Sequence, residues 1–140
     1  ARVVAADITG AEQQTAADRV IQDIEPSKGP PVFDRQGLMA RLMDDEDQVR
    51  MIVAGFLKDI PKQITALKEY IERGEAEQAG SQAHTIKSAA ANVGGTILST
   101  VAFEMEKAGK SGRLDEIAAL MPELEDQFDL LKAQMRDVEL

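Results

Sequence analysis

The chain has 140 residues, 44% hydrophobic and 29% charged, the balance of one globular domain and not of a disordered chain. A formal charge of −9 with no Lys/Arg cluster argues against a nucleic-acid backbone or an anionic membrane as partner, and no apolar run approaches the roughly 20 residues that span a bilayer. Cys is absent, which excludes disulfides, thiolate metal sites and cysteine nucleophiles; aromatics are only 4%, so Ala, Leu, Ile and Met must fill the core, a palette suited to close-packed helices.

Residues 1–31 read as an interdomain linker. Ala11–Ile24 could carry a helix, but its apolar stripe is poor, and Pro26-Ser27-Lys28-Gly29-Pro30-Pro31 cannot continue one. The alternative is an extra helix docked on the domain that follows. From Val32 to residue 140 every strong signal is helical. Asp34 can cap a short helix carrying Leu38, Met39, Leu42 and Met43. Asp44 or Asp45 then opens a long helix with Val49, Ile52, Val53, Phe56, Ile60, Ile64, Leu67 and Ile71 as its buried stripe, a kink or restart at Pro61, and Gly74 at its close.

A third helix is predicted from about Glu75 to Val93, burying Ala76, Ala79, Ala83, Ile86, Ala90 and Val93. Gly94-Gly95 makes the next turn, and Thr96 is placed to cap a helix that buries Ile97, Val101, Met105 and Ala108. Gly109 and Gly112 bracket another break. The last helix repeats Leu114, Ile117, Met121, Leu124, Phe128, Leu131, Met135 and Val138, with a second kink expected at Pro122. Short links join amphipathic helices throughout, so the expected fold is all-α: an antiparallel up-down-up-down four-helix bundle with a short extra helix in front.

His84 is the single histidine. A lone helical histidine is ordinarily half-buried or idle. At about 100° per residue, however, it lies roughly 130° from the centre of the Ala76–Val93 stripe and should face solvent. Around it stand Gly80, Ser81, Ser88, Ala91 and, at the turn, Gly95, where an exposed face would ordinarily carry long charged side chains. These small residues read as a docking surface that lets another protein approach the ring; the alternative is a close seam between helices. Lys87, at i+3, is within reach of a group carried on His84. If the Gly94-Gly95 turn joins antiparallel helices, His84 and Glu106 lie equidistant from it. Glu106 could then accept a hydrogen bond from Nδ1–H and leave the Nε2 lone pair free to attack phosphorus. The alternative for Glu106 is an ordinary surface carboxylate in the stretch Glu104-Met105-Glu106-Lys107.

The segment Ala83-His84-Thr85-Ile86-Lys87-Ser88-Ala89-Ala90-Ala91-Asn92-Val93-Gly94 resembles the signature of the histidine-containing phosphotransfer (HPt) family: His, any residue, an aliphatic, Lys, Gly or Ser, further small residues, an aliphatic and Gly. The likeness extends over about Phe33 to Met135. It implies a phosphorelay carrier in two-component signal transduction, with His84 as phospho-acceptor, Lys87 as electrostatic support and Glu106 as orienting group. It also implies response-regulator receiver domains as partners, with the group taken from one receiver's aspartyl phosphate and passed to another. A place at the C-terminal end of a hybrid sensor histidine kinase is expected, with a kinase core in the same parent chain. No nucleotide loop or carboxylate cluster is evident, so no cofactor of its own is expected, and Mg2+ is expected in the partner receiver. The domain is then a phosphocarrier and not itself an enzyme, a monomer, and cytoplasmic even where its parent is membrane-anchored. Two other readings stay open: a chemotaxis-kinase-like domain loaded by an ATP-binding kinase domain, and a helical adaptor with an idle histidine.

Overall fold

The computed structural model describes the backbone of residues 31–139 and the side chains to residue 136. The linker and helix expected within residues 1–31 lie outside this span but for Pro31, as does the side chain of Val138. The described residues form five helices: α1 (Arg35–Arg41), α2 (Glu46–Glu72), α3 (Ala76–Asn92), α4 (Thr96–Lys110) and α5 (Leu114–Glu139). Helices α2 to α5 form the expected four-helix bundle. Each packs on its neighbour in sequence, α3 most extensively on α4, and contact between α2 and α5 closes the ring. None of these helices is long and apolar enough to cross a membrane.

Local chemistry sets the helix ends. Asp34 caps α1 by accepting from the Gly37 N–H at 3.0 Å, and Asp45 caps α2 by accepting from Asp47 and Gln48. Helix α1 stops earlier than its apolar pattern suggests. Leu42 is the C-cap, and Met43 and Asp44 turn left-handed (φ 55° and 62°), so Met43 points outward at 89% exposure instead of joining the stripe. Neither proline breaks its helix: α2 runs unbroken through Pro61 and α5 through Pro122. Thr96 is not a cap. Gly95 occupies that position, and α4 begins with no side-chain cap.

The core is aliphatic. Val53, Ile60, Leu67, Ala83, Ile86, Ala90, Ala102, Met105, Ile117, Leu124, Leu131 and Met135 are fully enclosed, and each large member contributes about 1.5–3 kcal/mol on burial. Phe56 and Phe128 meet edge-on between α2 and α5, centroids 6.2 Å apart. Several residues of the expected stripes stand outside it: Ile52 is 39% exposed, and Ile71, Ala76, Ile97 and Leu114 are only partly buried. In α4 the expected Val101, Met105 and Ala108 are buried, Leu98 takes the place of Ile97, and Ala102, Glu106 and Gly109 widen the buried face. The wider face takes in Glu106.

Helix α1 is pinned to the α3–α4 turn. The Asp34 N–H donates to the Gly94 carbonyl at 2.7 Å, and Arg41 donates to the Asn92 carbonyl at 2.9 Å. Gly94 adopts φ +82°, and a Cβ there would stand 2.7 Å from the Asp34 carbonyl oxygen. Backbone conformation and close approach therefore both require glycine.

Candidate functional site

His84 projects from the middle of α3 with its side chain 55% exposed, on the flank where helical geometry predicts it. Opposite it on α4, Glu106 is the one buried charged residue among the described residues, with its side chain 8% exposed. Glu106 Oε2 lies 2.9 Å from His84 Nδ1. An ionised carboxylate can only accept, so Nδ1 carries the hydrogen, and in the neutral ring Nε2 keeps its lone pair.

A buried carboxylate needs partners, and Glu106 has three. Besides His84, Lys87 Nζ stands 2.9 Å from Oε1, an ion pair whose angle falls short of a directed hydrogen bond, and Lys110 Nζ stands 3.4 Å from Oε2. The Lys87 contact is the largest influence on the carboxyl, pulling its pKa down to about 2; burial opposes the shift, and the His84 hydrogen bond adds to it. Glu106 is therefore a fixed negative charge throughout the physiological range.

Lys87 is held from a second side by Phe103, whose ring centroid is 5.0 Å from Nζ, while Lys107 stands 4.8 Å from the same ring. Thus Lys87 is tied to the carboxylate that orients His84. Phe103 and Lys110 were not among the expected site residues. The spacing of Lys110, four residues after Glu106, was a readable signal.

The proposed docking residues divide. Ser81, Ser88 and Ala91 are exposed on α3, but Gly80 and Gly95 are buried. A Cβ on Gly80 would stand 3.0 Å from the Gly109 Cα, and one on Gly95 would stand 2.7 Å from Leu131 Cδ2. For these two glycines the helix-seam alternative holds: their smallness serves internal packing. The seam still shapes the surface. An open hollow beside the imidazole is lined by Glu77, Gly80, Ser81, His84, Gly109 and Lys110 among others, and Gly80 and Gly109 place no side chain in it. Among the described residues no group of three or more His, Cys, Asp or Glu side chains is placed to hold a metal ion.

Comparison with known proteins follows the same line. The family model of the Hpt domain matches residues 51–134. Among solved structures, the crystal structure of histidine-containing phosphotransfer protein B (HptB) from Pseudomonas aeruginosa PAO1 matches with a TM-score of 0.73 at 22% identity, covering 79% of this chain and 96% of that chain. That likeness is one of fold. No curated protein sequence matches. The family model spans more than half of the sequence and takes in the imidazole, its carboxylate and both lysines, and the chain belongs to the Hpt domain family.

Proposed function

We propose that His84 receives a phosphoryl group on Nε2 from the aspartyl phosphate of a receiver domain and delivers it to the aspartate of another. Attack by the Nε2 lone pair forms the P–N bond as the acyl P–O bond breaks, and the aspartate carboxylate leaves with the electron pair. The proton on Nδ1 stays in place, so the phosphorylated ring gains positive charge. Ionised Glu106, too weak a base to remove that proton, stabilises the charge across the 2.9 Å contact. In the onward step the neutral Nδ1–H imidazole is a good leaving group, and the same geometry serves both directions.

Lys87 supports the phosphoryl charge and steadies Glu106. In-line geometry and charge neutralisation are the main requirements of phosphoryl transfer, and Mg2+ is expected in the receiver partner. Residues 1–31 fit a linker to further domains of a parent sensor kinase, and a monomeric domain working in the cytoplasm suits exchange between receivers. One observation carries the reading: an imidazole more than half exposed is fixed through Nδ1 by a buried carboxylate, so that Nε2 is not the nitrogen engaged. Incubating wild type and His84→Gln with a phosphorylated receiver tests it. Acid-labile label is expected on the wild type alone, and equal labelling would refute the assignment. A parallel incubation with a kinase core shows which donor loads the domain.

A further inference from the structure

The cations that converge on Glu106 are not equally held. Lys87 is 26% exposed and is clasped between Oε1 and the Phe103 ring, and it does not line the hollow beside His84. Lys110 differs on each count. Its ammonium stands 3.4 Å from Oε2, longer than a well-formed charge-assisted bond, its side chain is 76% exposed, and it lines the same hollow as the imidazole. It also shares its carboxylate oxygen with His84, which puts its nitrogen within two hydrogen-bond lengths of the ring. Lys87 still neutralises Glu106 through Oε1 when Lys110 departs.

We propose that Lys110 is a mobile phosphoryl-binding cation: once His84 carries a phosphoryl group, the Lys110 ammonium leaves Glu106 Oε2 and pairs with the phosphoryl oxygens over the shared hollow. The inference rests on His84 being the phospho-acceptor. No bond is made to Lys110; its contribution is electrostatic. A phosphoryl group brings up to two negative charges and three acceptor oxygens, a stronger attraction for an exposed ammonium than a carboxylate that already has two other partners. An adjacent ammonium favours the dianion over the monoanion and lowers the pH at which the phosphoryl group takes up its last proton.

Phosphorus-31 NMR of the full 140-residue chain, loaded with phosphoramidate or by a phosphorylated receiver, reads this directly. The phosphohistidine resonance is followed against pH for wild type, Lys110→Ala, Lys110→Gln and Lys110→Arg. The midpoint is expected to rise by about half a pH unit or more in the two neutral variants and to return to the wild-type value in the arginine variant. Lys110 is largely exposed, so all variants are expected to melt as wild type does. Neutral variants that titrate with the wild-type midpoint would overturn the role of Lys110 while leaving the phospho-acceptor intact. A wild-type chain that takes no phosphate on His84 from either donor would overturn both.

Discussion

Gly80 on α3 and Gly109 on α4 pack backbone against backbone, so closely that a Cβ on Gly109 would stand 2.5 Å from the Gly80 Cα and 2.9 Å from the Ala76 carbonyl oxygen. This contact sets the separation of the two helices one turn from His84, and at that separation the Glu106 carboxylate meets the imidazole. The glycines that clear space beside the ring also hold its orienting group in range.

Replacing Gly109 with alanine therefore brings two effects into conflict. Alanine favours a helix interior over glycine by about 1 kcal/mol. Wedging a methyl group between two backbones costs about 1–3 kcal/mol. A net loss of stability is expected in urea unfolding, together with slower loading of His84 as Glu106 is displaced. A Gly109→Ala variant more stable than wild type would show that the seam yields freely.

Glu106→Gln keeps an oxygen able to accept from Nδ1–H but removes the charge that steadies the phosphorylated ring. Charge-assisted hydrogen bonds are about twice as strong as neutral ones, and a loss of about 1–2 kcal/mol slows transfer about tenfold. Glu106→Ala, which also frees the tautomer, should be slower again. Initial rates of label uptake from a phosphorylated receiver measure this. Equal rates for wild type and Glu106→Ala would remove the orienting role.

The same carboxyl gives the fold a defined acid response. Its pKa is lowered, from 4.5 to about 2, chiefly by Lys87, so in that window the unfolded chain binds a proton that the folded one refuses. The stabilisation is thus complete above about pH 4.5 and drains away as pH falls towards 2. Glu106→Gln should be less stable than wild type at neutral pH by about 1–2 kcal/mol, allowing for solvent screening at the exposed partners. The gap should close towards pH 2 in denaturant unfolding series, and a constant gap across the acid range would contradict the assignment.

Gly94→Ala separates stability from chemistry. It forces a left-handed residue to carry a Cβ and drives that Cβ against Asp34, at a cost of about 1–3 kcal/mol. Because Gly94 belongs to the turn that holds α1, the variant should melt earlier yet still load phosphate at close to the wild-type rate below its transition. Loss of loading in a chain that remains folded would place the turn within the transfer machinery.

Most of the fold was legible because helix periodicity reports which residues share a face. Most of the α3 and α5 stripes lie in the observed core, Ala76 and Leu114 being only partly buried, and the direction of His84 followed from the alanine stripe. In α4 the expected Val101, Met105 and Ala108 are buried, but Leu98 and not Ile97 is enclosed, and Ala102 and Gly109 extend the buried face. Packing against α3 decides this, for reasons that lie on the neighbouring helix. Gly80 and Gly95 misled for the same reason: a small residue looks alike whether it clears a surface or admits a backbone. The position of Glu106 came from counting around a turn. Its burial and its two lysine partners depend on how far the buried face of α4 extends, which that counting does not give.

Nitrogen-15 NMR of the His84 ring, before and after loading with phosphate, addresses the central claim most directly. The expected result is an unloaded ring protonated at Nδ1, followed by phosphorus coupled to Nε2 with the Nδ1 proton retained. A phosphoryl group on Nδ1, or an unloaded neutral ring protonated at Nε2, would contradict the role given to the Glu106 contact.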